Sequence, residues 1–389
     1  NYQATFTAQL LYPHVADYEV MPWPARIYEG YYRKSADSDE RIRIPRFYST
    51  QMQVMINSLN RMPETDNVVS GSHGIGVMMA NSLMFQTYPV HDGYEDPRLS
   101  DFFGQVMPFV KRGVPVNIVH IENLGYKETL EDMKVLLMSY SNMKPMDPAA
   151  HEYLAAWVKK GGVLVYSGRD DDPFQNVREW WNTDGNTYSS ASDHLFELMG
   201  VPPSASEGEF RYGKGMLRIV RQDPKEYVLE PGGETDFVNL VASLYKDEAG
   251  AGDLEFSNHF HLQRGAYEVV AVMTESVSDE PYRLEGVLVD LYDSRLEVVD
   301  GAEVKPGEQR LFVNLGRLDA SRPQIVASAS REYEEVVEDG RYSFVLKGPS
   351  ETTNVTRVLL PEMPAKVTVD GVESFDQIAW CPLSGTYLL

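Results

Sequence analysis

Residues 133–168 read MKVLLMSYSNMKPMDPAAHEYLAAWVKKGGVLVYSG, and they decide the fold. The run Val135–Met138 is continuous and apolar, which is typical of a parallel strand buried on both faces. Asp147 and Pro148 predict the start of a helix, because aspartate accepts hydrogen bonds from the free N–H groups and proline presets the first helical φ. A helix that follows a buried strand is the first half of a β–α–β unit.

The second half of this unit carries equally clear signals. Apolar and aromatic residues recur at helical spacing at Ala150, Tyr153, Leu154, Trp157 and Val158. The helix is predicted to end at Lys159–Gly162, where the cations complement the helix dipole and glycine takes the left-handed cap. Val163–Tyr166 is then the next strand, so we expect two parallel strands joined by a right-handed crossover.

Strands and helices alternate on both sides of this unit. We predict a helix capped at Thr50, further helices at Pro97–Lys111, Asp193–Met199 and Thr235–Leu244, and strands at Ile75–Ala80, Val116–Ile121 and Gly215–Val220. This alternation favours a parallel, doubly wound sheet.

The composition changes after residues 247–253, a Gly-, Ala- and acid-rich stretch that we interpret as a linker. Short strand-like runs follow at Tyr267–Met273, Leu284–Leu291, Arg310–Leu315, Gln324–Ser330, Tyr342–Leu346, Val355–Leu359 and Ala365–Val369. Turn pairs such as Asp300-Gly301 and Asp339-Gly340 separate them. Strands and turns at this spacing predict an antiparallel β-sandwich.

These patterns divide the chain into three parts. Residues 1–47 are interpreted as the remnant of a preceding (β/α) barrel or as an extended arm, in which Phe6 and Leu10 mark a short helix. Residues 48–250 form the predicted α/β domain, and residues 256–389 form the predicted β-sandwich. The predicted fold class is therefore α/β plus β.

Charge and composition exclude several classes of function. The chain has 35 basic and 58 acidic residues and a net charge of −23, whereas nucleic acid and anionic membranes bind a basic surface. Cys381 is the only cysteine, which excludes an internal disulfide and a cysteine-rich metal site. No apolar run approaches the roughly 20 residues that span a bilayer. No signal peptide is recognised, but Asn1 in place of Met indicates a processed or fragmentary chain. The compartment, cytoplasmic or bacterial periplasmic or secreted, therefore stays open.

Ligands of a parallel sheet bind at the carboxyl ends of its strands, and the loops predicted there carry no cofactor motif. None is a glycine-rich phosphate loop followed by a helix, and Gly71–Gly76 precedes a strand, which indicates a plain turn. This part of the chain has neither a G-x-S-x-G elbow nor a cysteine nucleophile. We therefore expect no cofactor and no metal.

The helix, Gly-Gly and strand of residues 147–168 resemble the class I glutamine-amidotransferase-like domain that follows the barrel in many glycoside hydrolases. They are similar to the trimerisation domain of the family 42 β-galactosidases, and Gly213–Val220 fits a later strand of that domain. The resemblance implies a flavodoxin-like sheet, a bacterial carbohydrate-active enzyme and a homo-oligomer. True amidotransferases carry a cysteine at a strand-to-helix elbow, so we do not expect that activity here.

Residues 18–24, YEVMPWP, resemble a late barrel strand of the same kind of enzyme. The resemblance implies that Glu19 is the carboxylate that attacks the anomeric carbon, with Trp23 as a sugar-stacking platform and Arg26 and Tyr28 as substrate contacts. The structural alternative is an ion-paired Glu19 and a Trp23 packed in a core. A barrel needs roughly 200 residues and only about 50 precede the predicted α/β domain, so if Glu19 is catalytic we expect its partner acid on sequence not present here.

Three further motifs have a functional and a structural interpretation. His259-Phe260-His261 places two imidazoles on one strand face as a metal pair, or as ordinary surface or core histidines. Asp170-Asp171-Asp172 is a site for a hard cation or, as the sequence favours, a solvated acidic loop. Trp180-Trp181 lines a sugar cleft or an interface, or packs under its loop.

Three functions remain in competition. The first is a non-catalytic assembly and accessory portion of a glycoside hydrolase. The second is a glycoside hydrolase that uses Glu19, and the third is a carbohydrate-binding module in the β-rich part. The expected partners are carbohydrate and further copies of the chain, and neither nucleic acid nor a membrane.

Overall fold

A computed structural model describes residues 2–15, 17–18, 25–84, 98–350 and 352–389, except for the side chain of Met84. Its contacts divide the chain into two compact units. Unit 1 contains Asn1–Ser70, His259–Thr274 and Asp279–Leu389, and unit 2 contains Gly71–Asn258 and Glu275–Ser278. Unit 2 is therefore inserted into the sequence of unit 1.

Unit 2 is built on a six-stranded sheet. From edge to edge its strands are Val116–His120, Ile75–Met79, Val135–Met138, Val163–Ser167, Gly215–Val220 and Gly208–Tyr212. The first five pair in parallel, and Gly208–Tyr212 pairs antiparallel with its neighbour. The expectation of a largely parallel sheet is confirmed.

Helices cover both faces of this sheet. The α-helices of unit 2 are Phe102–Val110, Glu128–Glu131, Ala149–Lys160, Ala191–Leu198, Pro224–Leu229 and Gly233–Ser243, with 3₁₀ turns at Asn81–Met84 and Ile121–Asn123 and a π-helical turn at Leu244–Glu248. Leu136 and Met138 enter one apolar cluster, whereas Val135 and Leu137 enter another. Because alternate residues of a strand face opposite sides, the central strand is buried on both faces.

The predicted β–α–β unit forms as expected. Asp147 Oδ1 accepts a hydrogen bond of 2.9 Å from the backbone N–H of Ala149 at the helix start. The helix ends at Gly161, whose φ of 127° is a conformation that side chains disfavour.

Unit 1 consists mainly of antiparallel strands. Its five-stranded sheet has the order Val298–Val304, Tyr282–Asp290, Gln309–Asn314, Tyr267–Val272 and His259–Arg264. A four-stranded sheet has the order Gln324–Ser328, Thr356–Leu359, Thr386–Leu388 and Trp380–Cys381. Three two-stranded pairs join Tyr31–Arg33 to Arg41–Arg43, Arg331–Glu338 to Arg341–Lys347, and Thr368–Val369 to Val372–Glu373. The class α/β plus β is confirmed.

Helices from the amino-terminal part complete the core of unit 1. Phe6 and Leu10 of helix Tyr2–Leu10, and Met52 and Met55 of helix Arg46–Ser58, pack in one cluster with residues of both larger sheets. Short helical segments also occur at Ala25–Tyr28, Leu315–Arg317 and Gln377–Ala379.

The division of the chain differs from the predicted one. Helix Arg46–Ser58 was expected to open the α/β domain, but it packs into unit 1, and unit 2 begins at Gly71. Residues 1–47 likewise include a helix of the unit 1 core rather than a separate arm. An amphipathic stripe shows that a helix has a buried face, but it does not identify the core that buries it.

Two helix starts also needed correction. Thr50 lies inside a helix that begins at Arg46 after Pro45, and the helix predicted from residue 97 begins at Phe102 with Asp101 as its N-cap. None of the helices in the described ranges combines the length and apolarity of a membrane span.

Candidate functional site

Polar side chains gather at the carboxyl ends of the parallel strands in unit 2. They come from the turns and loops that follow the strands, from the end of one strand and from two neighbouring helices, and this edge is where α/β sheets usually bind ligands. We call this group the carboxyl-edge network; its members are Ser82, Tyr140, Lys144, His151, Tyr166, Asp170, Asp172, Gln175, Ser192, His194 and Arg221.

Lys144 is the centre of the carboxyl-edge network, and it is 1% exposed. Its ammonium forms an ion pair with Asp172 and donates to the Tyr140 carbonyl at 2.6 Å and to Gln175 Oε1 at 2.9 Å. The Ser82 hydroxyl bonds both the N–H and the carbonyl of Lys144. Three acceptors match the three N–H bonds of the ammonium, so its charge and its hydrogen-bonding capacity are both satisfied.

Asp170 anchors a second part of the network. Its φ of 59° is unusual for a residue with a side chain. The carboxylate accepts hydrogen bonds from Tyr166 Oη, from Ser192 Oγ at 2.8 Å and from Arg221 at 2.6 Å. Arg221 also donates to the Ala205 carbonyl, so the guanidinium ties three loops together.

His151 links the network to a half-exposed histidine. Its Nε2 lies 2.7 Å from Tyr140 Oη, and its Nδ1 lies 2.9 Å from Nδ1 of His194. Burial, assisted by the neighbouring His194, lowers the pKa of His151 to about 3. His151 is therefore neutral at physiological pH and serves as a hydrogen-bonding member of the network.

Asp101 is a buried carboxyl on the segment that leads into helix Phe102–Val110. One oxygen accepts from the Phe102 N–H, and the other has no partner among the residues that the structure describes. Burial, with a further contribution from Asp223, raises the pKa of Asp101 to about 8, although the Phe102 N–H and Arg98 oppose the rise. The group is thus a neutral acid at pH 7.

The charged side chains of this edge are paired with one another. Lys144 pairs with Asp172, and Arg221 pairs with Asp170, so these four charges are matched within the network. Over the described ranges, no three His, Cys, Asp or Glu side chains are arranged to hold a metal ion. Cys381 belongs to a strand of unit 1, so it is not part of this edge.

The nominated glycosidase residues fall partly outside the described ranges. Glu19 and Trp23 lie there, so their roles stay predictions. Arg26 and Tyr28 share the short helix Ala25–Tyr28, where Arg26 is exposed and its carbonyl accepts from Tyr32 Oη. Burial and the neighbouring Tyr2 raise the pKa of Tyr28.

The acidic triplet is not a solvated loop, which corrects the interpretation that the sequence favoured. Asp172 is buried against Lys144, Asp170 is paired with Arg221, and only Asp171 is exposed. The partner cations are distant in sequence, so no local pattern reveals the pairing.

The tryptophan pair packs under its loop. Trp181 is fully buried, and Trp180 donates from Nε1 to the Pro145 carbonyl at 2.8 Å. Sequence reasoning did not nominate Lys144, His151 or Arg221; the one available signal was that each lies in or near a loop after a predicted strand.

No family model matches the chain, and no curated protein does so either. Solved structures do. Gan42B, a GH42 β-galactosidase, is 14% identical with a TM-score of 0.36 over 62% of this chain and 40% of its own. The β-galactosidase from Bacillus circulans sp. alkalophilus is 11% identical with a TM-score of 0.38 over 63% of this chain and 42% of its own.

A third similar structure is the β-galactosidase from the psychrophilic Marinomonas ef1, at 9% identity and a TM-score of 0.34 over 68% of this chain and 41% of its own. The chain therefore spans less than half the length of these enzymes. The structures that the chain resembles include GH42 β-galactosidases, the enzymes to which the sequence resemblance pointed, and they match it over part of their length.

Proposed function

We propose that the chain is the non-catalytic assembly and accessory portion of a carbohydrate-active enzyme related to the β-galactosidase-like glycoside hydrolases. The observation that carries this proposal is the state of the carboxyl edge. Lys144 and Asp172 are buried in a closed ion pair where a catalytic α/β domain keeps reactive groups accessible. A sheet filled in this way suits a scaffold that supports contacts elsewhere.

The proposal includes a flavodoxin-like, amidotransferase-like form for unit 2 and a β-sandwich for the β-rich part of unit 1. The order of the strands supports the flavodoxin-like form. When the five parallel strands are numbered along the chain, they lie side by side in the order 2-1-3-4-5. Amidotransferase activity is not part of the proposal, because the only cysteine is Cys381 in unit 1.

The proposed partners are further copies of the chain and carbohydrate. Exposed aromatic side chains on unit 2 support an association surface: Tyr126 is 68% exposed, and Tyr153, 47% exposed, lies against Gly125. Because surface aromatics favour protein interfaces, we expect a defined homo-oligomer.

Light scattering combined with hydrolysis assays tests the proposal. The expected result is one defined oligomer and no release of nitrophenol from nitrophenyl β-galactoside or related glycosides. A clean monomer across the accessible concentration range contradicts the assembly role. Hydrolysis above the buffer rate contradicts the non-catalytic role.

A second candidate is a glycoside hydrolase that uses Glu19. Arg264, fully buried, favours it, because its guanidinium donates to the carbonyls of Leu10, Tyr12 and Val15 and to the Tyr18 hydroxyl. These hydrogen bonds fix the position of the segment up to Tyr18, and a catalytic residue needs such a rigid support. Activity that is lost in Glu19→Gln and kept in the matched variant Glu29→Gln supports this candidate, and activity that survives Glu19→Gln removes it.

A further inference from the structure

A second polar cluster lies in unit 1, on the five-stranded sheet. Glu268 is its centre, and the Glu268 side chain is 3% exposed. Its Oε2 lies 2.8 Å from His261 Nε2, and its Oε1 accepts from Asn314 at 3.2 Å and from Arg317 at 2.9 Å. His261 Nδ1 lies 3.1 Å from the hydroxyl of Tyr282.

The hydrogen bonds fix the proton positions in this cluster. Burial raises the pKa of Glu268, but hydrogen bonds from His261, Asn314 and Arg317 more than offset it and hold the pKa below its ordinary value. An ionised carboxylate only accepts, so His261 must donate from Nε2. In neutral His261, Nδ1 is then the acceptor, and the Tyr282 hydroxyl donates to it.

Carboxylate, imidazole and hydroxyl are thus connected in the order of a hydrolase triad, with a phenol in place of the serine hydroxyl. The His261 side chain is 25% exposed, and Tyr282 is half-buried, so solvent reaches both. The His259 ring stacks on the Tyr282 ring with centroids 4.0 Å apart and restricts its orientation.

We propose that Tyr282 is a nucleophilic tyrosine that accepts acyl groups from activated esters. Tyr282 Oη attacks the acyl carbon, the new O–C bond forms, and the ester bond to the leaving phenolate breaks. The hydroxyl proton passes to His261 Nδ1, and the Glu268 carboxylate stabilises the resulting imidazolium until the proton is released to solvent. The product is an acyl-tyrosine and one phenolate.

The experiment uses the full chain and p-nitrophenyl acetate, with peptide mass spectrometry over time. Tyr126 is the internal reference, because it is 68% exposed but lacks an imidazole partner among the described residues. If solvent access decided the rate, Tyr126 would react first. General-base assistance instead predicts acetylation of Tyr282 roughly 100-fold faster than that of Tyr126.

Two variants complete the test. Tyr282→Phe should abolish the fast acetylation, and His261→Gln should slow acetylation of Tyr282 to the rate of Tyr126. Acetylation of Tyr126 at a rate equal to or above that of Tyr282 in the unaltered chain overturns the proposal, whether or not the variants fold. An unchanged rate in a folded His261→Gln variant also overturns it.

Discussion

The contribution of Lys144 to stability depends on its buried ion pair with Asp172. Its ammonium is buried with Asp172 as counter-charge, and removing one partner of such a pair leaves an unmatched charge in the interior. We expect Asp172→Asn to lower the free energy of unfolding by about 3–5 kcal/mol in urea denaturation. The double variant Lys144→Met with Asp172→Asn should lose less free energy of unfolding than Asp172→Asn alone, because neither charge of the pair remains buried.

An exposed pair is the control for this prediction. Lys127 and Glu131 bond at 2.7 Å, but their side chains are 79% and 49% exposed. Glu131→Gln should leave the urea midpoint nearly unchanged. A loss in Glu131→Gln as large as that in Asp172→Asn would show that burial does not determine the effect.

Asp101 should give the stability a marked pH dependence. Its carboxyl keeps its proton in the folded chain up to about pH 8, but it ionises around 3.8 when unfolded. Folding therefore takes up a proton between these values, so the stability falls as the pH rises through this window and is level above it. The slope is at most about 1.4 kcal/mol per pH unit.

Asp101→Asn removes this titration and keeps a residue that caps helices well. The facing charged groups, Arg98 and Asp223, remain in the variant. We would measure urea denaturation at each whole pH unit from pH 5 to pH 9. The free energy of unfolding should decline less steeply with pH for the variant than for the unaltered chain. Parallel curves for the two proteins would contradict the assignment of the raised pKa to Asp101.

The acidic triplet shows where prediction from sequence ends at this scale. Residue types and local spacing showed that Asp170 and Asp172 follow a strand, but not that each meets a cation. Lys144 and Arg221 come from other loops, and only the order of the strands brings them together. Whether a charged side chain is buried and paired therefore depends on the tertiary structure and not on the local sequence.

At the scale of elements, the end of helix Ala149–Lys160 separates two effects of glycine. Gly161 has a φ of 127° but almost empty space around the position of a Cβ, whereas a Cβ on Gly162 would overlap the Trp157 ring. Both Gly161→Ala and Gly162→Ala should destabilise the chain by about 1–3 kcal/mol, the first through backbone strain and the second through a clash.

A smaller side chain at residue 157 distinguishes these causes. Trp157→Leu should recover part of the stability lost in Gly162→Ala but none of the stability lost in Gly161→Ala. In double-mutant cycles, residue 157 should therefore show coupling with residue 162 and not with residue 161. Thermal unfolding of the three single and two double variants, beside the unaltered chain, measures the coupling. Equal coupling for both glycines would contradict the assigned clash.

Elements with a strong local period were predictable. The Val135–Met138 strand, the helix after it and the next strand appear within a few residues of their predicted bounds. The antiparallel strand Gly208–Tyr212 was missed, because a half-exposed edge strand lacks a continuous apolar run. Helix Arg46–Ser58 was found but assigned to the wrong domain, since its stripe fits either core.

At the scale of the whole molecule, unit 2 enters and leaves unit 1 at neighbouring positions. The Ser70 N–H donates to the His261 carbonyl at 2.9 Å, and the His261 N–H donates to Ser70 Oγ at 2.9 Å. We expect unit 1 to fold when a short Gly-Ser linker replaces residues 71–258, because that linker spans a small gap. Circular dichroism and a cooperative thermal transition measure this.

A longer deletion is the matched control. Removing residues 71–266 also deletes the edge strand His259–Arg264 with the buried Leu262 and Arg264, so this variant should fail to unfold cooperatively. Loss of cooperative unfolding in the shorter deletion as well would show that unit 1 depends on unit 2 for its stability.

The insertion also bears on how the chain matures on the ribosome. Helices Tyr2–Leu10 and Arg46–Ser58 are translated before unit 2, but the strands that bury Phe6, Met52 and Met55 are translated only after residue 258. Unit 2 is nearly complete by then and can fold as a unit during translation. The apolar side chains of these two helices therefore stay uncovered while unit 2 is translated, and we expect chaperones to act on them.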